Sequence, residues 1–332
     1  MSNFLILAGV VVAMYFLGAP LLRRLREGRK RRLYEDALKH ALTCRHEGRD
    51  ATRESLAGAL GLSANKTIGL VNLLESKGLI QSSGGTLQLT REGESTGVHV
   101  MRAHRLWERY LADDAGMPMA KLHQAADKAE HSLTPERVAR LDAHLGHPQR
   151  DPHGDPIPSA DGSITRLEGE PLTDWPVGTK ARIVHIEDEP AVVFEQILAA
   201  DLRPGSVVRV LEDTPARLVL SDGTDVHLLA HSVAANIQVA AAEAAEARSA
   251  DVKRLSELGR LEKAEVIELD DQCRGFSRRR LMDLGLTPGA KVQAALENTF
   301  GDPRGYRVRG ATIALREPQA RHIWVRPTED AA

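Results

Sequence analysis

The sequence predicts a multidomain α+β protein, and three observations support that fold class. Residues 33–97 contain three helical patterns followed by a hairpin pattern, which is the order of a winged helix-turn-helix. Residues 95–146 are helical again, apart from a break near Gly116. The C-terminal half contains two copies of a β-rich repeat, which predicts two small β-barrels.

The N-terminus predicts a transmembrane helix, with residues 1–22 as the anchor. Residues 4–22 form a run of 19 residues without a charge, just long enough to span a bilayer as a helix. Seven cations and one acid follow at 23–32, a basic juxtamembrane segment that should stay cytoplasmic. We therefore expect a single-pass protein of the cytoplasmic membrane, with the N-terminus outside and residues after Arg23 in the cytoplasm. A cleaved signal and a buried or interfacial helix are the alternatives.

The predicted winged helix-turn-helix domain covers residues 33–97. Helices are predicted over 33–48, 51–62 and 63–80, because apolar residues recur at helical spacing and Thr or Ser stands at the start of the last two. A Gly-Gly pair at 84–85 then predicts the turn of a small hairpin.

An internal repeat predicts the two barrels. KARIVHI at 180–186 matches KAEVIEL at 263–269, and AANIQV at 234–239 matches ARHIWV at 320–325. Both copies alternate short β-patterned runs with Gly turns. The predicted segments are helices over 98–146, a Pro-rich linker over 147–170, a barrel over 171–240, a helical linker over 241–254 and a second barrel over 255–327.

The composition excludes several classes of protein. Aromatic residues make up only 4% of the chain, too few for single-stranded nucleic acid to be the main partner through base stacking. The two cysteines, Cys44 and Cys273, form neither a disulfide framework nor a CxxC site, so a reducing compartment fits best. No Walker loop, GxSxG or HExxH motif is present. We therefore predict that the protein is not an enzyme.

Seven residues with carboxylate or imidazole side chains are candidate metal ligands. Four of them fall in HQAADKAEH at 123–131, at spacings that place all four on one side of a helix. Two more form an i, i+4 pair on the preceding predicted helix. Such a cluster suits a divalent cation such as Mn²⁺ or Fe²⁺, and a solvated face of ion pairs is the alternative. The candidates are Asp36, His104, Glu108, His123, Asp127, Glu130 and His131.

Three motifs in order resemble the diphtheria-toxin-repressor (DtxR/MntR) family of iron- and manganese-dependent repressors. They are MRAHRLWERYL at 101–111, HQAADKAEH at 123–131 and PHGDPIP at 152–158, within a resemblance that covers roughly 33–240. The resemblance implies a DNA-binding wing domain, a helical metal-binding and dimerisation domain, and an SH3-like barrel. Both barrels are similar to FeoA, a small SH3-like partner of the ferrous iron transporter, the second through SRRRLMDLGLTPG at 277–289.

The same resemblance implies that all seven candidates are ligands. Asp127 stands where iron-type members have Cys and manganese-type members have Glu. Asp36 stands where iron-type members have Met and manganese-type members have Asp. Both choices favour oxygen donors and tilt the site toward Mn²⁺ without excluding Fe²⁺. Lys39 departs from the pattern, because manganese-type members carry a second acid there.

A second departure concerns the first barrel. Iron-type members draw metal ligands from it, but the matching positions here are Pro190 and Val193. Glu189 and Glu195 are close by in sequence, so a shifted ligand remains open.

The third predicted helix is the candidate DNA-recognition helix. It would lie in the major groove with Ser63, Asn65, Lys66 and Thr67 near base edges or phosphates. Residues 33–100 contain seven Lys or Arg and eight Asp or Glu, so the module is not basic, as a DNA-binding module usually is. A wing domain retained only as a scaffold is the alternative.

Together these expectations describe a membrane-tethered, Mn²⁺- or Fe²⁺-dependent, DNA-binding transcriptional regulator of metal-ion homeostasis. It would bind a double-stranded operator as a homodimer, and one ion would bridge the first helix to the two helices that carry the other candidate ligands. The alternative is a membrane-bound adaptor that senses metal and docks a metal transporter through its FeoA-like barrels, without reading DNA.

Overall fold

The computed structural model describes residues 26–166, 169–242, 252–270, 273, 275–296 and 302–328. These residues form two compact units. The first comprises the described residues up to Ala103 together with Glu130–Ser132, and the second comprises the remainder. The predicted anchor and most of the predicted helical linker 241–254 lie outside the described residues.

The predicted membrane location requires a correction. Within the described ranges, no helix is both long enough and apolar enough to cross a bilayer. Helix α4, Arg91–Asp113, has 23 residues, but acids and arginines recur along its length, and each costs roughly 2.5–3.5 kcal/mol at a bilayer centre. The predicted span 4–22 lies outside the described residues. The single-pass location in the cytoplasmic membrane is therefore withdrawn.

The basic segment is not separate from the first helix of the wing module. Within the described residues, 26–46 are helical (helix α1), so the cations at 26–32 lie on this helix and their side chains are exposed. Gly48 ends this region with a φ of +70°, a left-handed conformation that favours glycine after a helix. The predicted boundary between 32 and 33 is wrong, because nothing at those positions interrupts the helix.

The rest of the first unit has the predicted order of helices and hairpin. Helix α2, Arg53–Leu60, begins with a reciprocal cap between Thr52 and Ser55, and helix α3 covers Ala64–Ser76. Strands β1, Ile80–Ser83, and β2, Thr86–Leu89, pair antiparallel.

A tight hairpin turn and one apolar cluster hold this module together. Gly84 and Gly85 both have positive φ, as the tight hairpin turn requires. One apolar cluster joins α1 to α2, α3 and the hairpin. Its buried members are Ala37, Leu38, Ala41, Cys44, Ala51, Leu56, Leu70, Val71, Leu74, Ile80 and Leu87.

Short helices continue the chain after α4, which belongs to the first unit up to Ala103 and to the second from His104. A 3₁₀ turn at Met119–Lys121 leads into helix α5, Leu122–Ala129. A further 3₁₀ turn covers Glu130–Ser132. Helix α6, Pro135–His144, has proline in its first turn, and the side chain of Thr134 caps it by accepting a hydrogen bond from the backbone N–H of Arg137.

The predicted repeat forms two six-stranded sheets with the same plan. Their strand orders are β3-β8-β4-β5-β6-β7 and β13-β12-β11-β10-β14-β9. The repeated segments are β4 and β10, and their pairings to β8 and β14 each contain a register shift at the same place, between Ile183 and His185 and between Val266 and Glu268. An irregularity shared by both copies indicates duplication of one fold.

The sheets have separate cores, each built from its own strands and short helices. The first sheet has β3 Glu170–Pro171, β4 Lys180–Ile186, β5 Val207–Thr214, β6 Arg217–Ser221, β7 Val226–Leu229 and β8 Ile237–Ala241, with helices α7 Ala191–Ala199 and α8 His231–Ala234. The second has β9 Lys253–Arg254, β10 Lys263–Leu269, β11 Lys291–Leu296, β12 Arg304–Val308, β13 Ala311–Leu315 and β14 Ile323–Pro327, with helices α9 Gly275–Asp283 and α10 Glu317–Ala320.

The close approach of α4 to the hairpin depends on Gly93. A Cβ at this position would lie 1.9 Å from the carbonyl oxygen of Leu79, a contact that backbone must move to relieve. We expect Gly93→Ala to lower the free energy of unfolding by about 1–3 kcal/mol in urea titrations. Gly69→Ala is the matched control, because a Cβ there meets nothing within 4 Å and should raise stability. Equal effects of the two substitutions would contradict this packing.

Candidate metal centres

The first unit brings three of the candidate ligands together. Asp36 projects from α1, and Glu130 and His131 come from the 3₁₀ turn, with one donor atom of each within 4.8 Å of the others. His131 Nε2 lies 3.1 Å from Asp36 Oδ1 and 3.5 Å from Glu130 Oε1. Lys39, one helical turn after Asp36, places Nζ 2.9 Å from both carboxylate oxygens of Glu130. We call Asp36, Glu130 and His131 the first group.

Glu35 orients the imidazole of this group, a role that was not predicted from the sequence. Its Oε2 lies 2.7 Å from His131 Nδ1, and its Oε1 accepts a hydrogen bond from Arg31 Nε at 2.6 Å. If Nδ1 carries the proton, Nε2 is left to face Asp36 and a metal ion. Glu35 shares a helical stripe with the buried Leu38 and Leu42, and an acid within an apolar stripe was the available signal.

The acids around His131 keep it protonated in the absence of a metal. Burial alone would lower the pKa of His131, but the hydrogen bonds to Asp36 and Glu35 raise it to about 9. The proton therefore supplies positive charge where a cation could. A metal ion that takes Nε2 as a ligand must displace this proton.

The second unit brings together His104, Glu108 and His123, with one donor atom of each within 4.8 Å of the others. His104 Nε2 lies 3.1 Å from Glu108 Oε1, and His123 Nδ1 lies 3.8 Å from the same oxygen. Asp127 borders both imidazoles, with one oxygen 3.4 Å from His104 Nδ1 and the other 3.4 Å from His123 Nε2. These four residues are called the second group.

A single group was expected, whereas each of the two units, taken by itself, holds one group of the candidates. The expectation assumed an unbroken helix through His131, in which Glu130 would share a face with His123. Instead, α5 ends at Ala129 and the next three residues turn as a 3₁₀ helix. That turn belongs to the first unit, whereas α5 belongs to the second.

Two further residues border the second group and were not predicted as ligands. Asp188, from the loop after β4, places Oδ2 2.9 Å from His123 Nδ1. His153 Nδ1 lies 3.6 Å from Glu108 Oε2, and with Asp151 these side chains form a further buried triad of donors. Asp188 is one residue from Glu189, which also approaches His123 Nε2, at 3.5 Å. The barrel acid nearest this imidazole is thus shifted from the positions that the resemblance implied.

Burial and neighbouring charges together shift the pKa values of the groups around Glu108. Burial would raise the pKa of Glu108, but His104 and His153 hold it well below its usual range. Burial would lower the pKa of His153, but the hydrogen bond and charge of Glu108 raise it to about 10. Burial, Asp155 and Glu108 raise the pKa of Asp151 to about 7. Neighbouring acids therefore favour the protonated form of His153, as they do for His131.

The donor chemistry of both groups fits Mn²⁺ or Fe²⁺. Every donor is a carboxylate oxygen or an imidazole nitrogen, the set that such ions accept. The two free cysteines, Cys44 and Cys273, are buried and belong to neither group. Because buried carboxylates need compensating charge, a divalent cation would replace the protons that now stabilise them.

The predicted DNA contacts lie around the start of α3. Ser63, Asn65 and Lys66 are exposed there. Thr67 is buried, and its hydroxyl donates to the carbonyl of Ser63 at 3.2 Å. The outer face of this helix therefore presents three of the four predicted side chains.

Models of two known families match different parts of the chain. Residues 90–159 match the family described as "Iron dependent repressor, metal binding and dimerisation domain". Residues 170–241 and 253–327 each match the family described as "FeoA domain". The resemblance to FeoA in both barrels is therefore confirmed.

Individual relatives are similar to this chain over more than half of its length. The chain is 35% identical over 202 residues to the diphtheria toxin repressor of Corynebacterium diphtheriae, covering 56% of this chain and 89% of that protein. It is 29% identical over 209 residues to the iron-dependent repressor IdeR of Mycobacterium leprae, covering 58% and 90%. A solved manganese-dependent transcriptional repressor in complex with manganese has a TM-score of 0.58 and 28% identity, over 63% of this chain and 99% of that one.

The geometry around His131 predicts a measurable role for Glu35. Glu35→Gln keeps the shape of the side chain but removes the charge that holds the imidazole, so we expect Mn²⁺ affinity by calorimetry to fall roughly tenfold. Glu54→Gln removes an exposed acid from the same unit and should leave the affinity unchanged. Equal affinities for the two variants would show that Glu35 does not support the metal centre.

Proposed function

This chain belongs to the diphtheria toxin repressor family, and from that premise we propose that it represses transcription by binding operator DNA when Mn²⁺ or Fe²⁺ is bound. The iron- and manganese-dependent repressors among its relatives identify Fe²⁺ or Mn²⁺ as its metal. None of these relatives is named as an enzyme, which agrees with the prediction. The adaptor alternative has no support among them.

One observation carries the proposal. The first group joins α1 of the wing module to the turn Glu130–Ser132, because Asp36 and His131 lie 3.1 Å apart. A metal ion held by these side chains would restrict how α1 can move relative to that turn. Metal would then change DNA affinity only by as much as it prefers the DNA-competent arrangement.

The second group would add a metal ion within the second unit. His104, Glu108 and His123 would hold it, and the contact of Asp188 with His123 supports a contribution from the first barrel. Bound there, the ion would fix a barrel loop against α4 and α5. We propose this centre as a support for the helical region and assign it no contact with DNA.

Exposed side chains of the wing module support contact with double-stranded DNA. Asn65 and Lys66 at the start of α3 would approach base edges and phosphates in the major groove. The exposed cations at 26–32, which continue α1, would add phosphate contacts and offset the near-neutral charge of the rest of the module. The dimerisation domain matched at 90–159 supports a homodimer that presents two such helices to successive major grooves.

A direct binding measurement tests this function. The full chain is titrated onto double-stranded DNA from upstream of its own gene, by fluorescence anisotropy at low salt. We expect tight binding with Mn²⁺ or anaerobic Fe²⁺ and loss of binding with EDTA. Lys66→Ala should weaken the metal-dependent complex, whereas Lys121→Ala, an exposed lysine of the second unit, should not.

Two outcomes would overturn the proposal. One is DNA affinity that is the same with metal and with EDTA. The other is no detectable binding to this DNA at low salt while calorimetry shows the metal bound.

A further inference from the structure

We propose that Lys39 is a built-in cation of the first group, which limits the group to one divalent ion and sets a higher metal concentration for filling it. The inference rests on the proposed function, since it concerns the same metal centre. Its starting observation is the pair of 2.9 Å contacts from Lys39 Nζ to both oxygens of Glu130. Lys39 and Asp36 lie on one face of α1, three residues apart.

Burial makes this contact consequential. The side chain of Glu130 has no exposed surface, whereas that of Lys39 is 22% exposed. A buried carboxylate without a partner is strongly unfavourable, so the ammonium stabilises the metal-free protein. A metal ion that approaches Glu130 therefore meets a carboxylate whose charge is already compensated. The binding free energy gained from this contact is smaller than it would be without Lys39.

The contact weakens metal binding without blocking it. A carboxylate offers about four lone-pair positions, and the lysine uses one on each oxygen of Glu130. Contact with the lysine alone does not exclude a metal ion that also contacts Asp36 and His131. Lys39 can therefore remain in place while one ion binds.

The charges explain why a second ion is disfavoured. The ion pairs of this group combine three carboxylates, Glu35, Asp36 and Glu130, with two cations, Arg31 and Lys39. One divalent ion already exceeds the remaining negative charge. A second would leave an excess of positive charge beside the buried Glu130 that no further carboxylate of these pairs offsets.

The test compares Lys39→Met with Lys39→Gln, which keeps a hydrogen-bond donor near Glu130. Both are made in a His104→Gln, His123→Gln background, so that calorimetry with Mn²⁺ reports the first group. We expect each variant to bind Mn²⁺ at least roughly tenfold more tightly than its background. We also expect the metal-free variants to melt at lower temperature and saturating Mn²⁺ to remove most of that loss.

Arg45→Met is the matched control. Arg45 lies on α1, like Lys39, and pairs with Glu94 of α4, but both side chains are exposed, at 47% and 43%. Removing this charge should leave Mn²⁺ affinity unchanged, because an exposed pair is screened by solvent. A general effect of charge loss would instead make all three variants alike.

The possible results separate the inference from the function beneath it. Tighter Mn²⁺ binding in both Lys39 variants, with one ion bound in the background, supports the inference. Affinity equal to or weaker than the background, or two ions bound at the first group while Lys39 is present, overturns it and leaves the proposed function standing. No Mn²⁺ binding by the full wild-type chain would remove both.

Discussion

Burial of carboxylate charge beside imidazoles is the constraint on which the candidate centres depend. Glu108 and Glu130 are almost completely buried, and both meet positively charged or protonatable groups. A carboxylate removed from water is stable only when such partners are held in place. Helices α1, α4 and α5 supply them at fixed positions, so the fold and the charge balance support each other. A divalent metal ion is the ligand whose charge fits that balance.

Local backbone geometry decides how the charges are distributed. Helix α5 ends at Ala129, so Glu130 and His131 belong to the 3₁₀ turn that follows it. Within the first unit, Glu35 fixes the imidazole of His131 from behind, while Asp36 faces its other nitrogen. The orientation of His131, a candidate ligand, therefore depends on a neighbour that does not itself need to touch a metal. Such supporting groups commonly tune affinity as strongly as the ligands do.

The sequence predicted the parts of this structure that local patterns encode. Helical periodicity, the Gly84–Gly85 turn and the internal repeat identified the wing module and both sheets, because each signal lies within a few consecutive residues or recurs at a fixed offset. The sequence also indicated the candidate metal ligands, since carboxylates and imidazoles recur at helical spacing. The tilt toward oxygen donors followed directly from Asp36 and Asp127.

What the sequence could not predict depends on packing between distant segments. Asp188 and His153 reach the second group from loops, and no spacing rule relates them to His123 or Glu108. The continuity of 26–46 as one helix was missed because the change from basic to mixed composition suggested a boundary that the backbone does not have. Thr67 was expected at the surface, but its hydroxyl bonds its own helix.

The central claim is that these carboxylate and imidazole groups hold divalent cations, and anomalous diffraction from crystals of the full chain grown with Mn²⁺ tests it most directly. We expect one anomalous peak coordinated by Asp36, Glu130 and His131, and a second coordinated by His104, Glu108 and His123. Crystals in which neither set of side chains coordinates a peak, although Mn²⁺ is bound elsewhere on the chain, would contradict it.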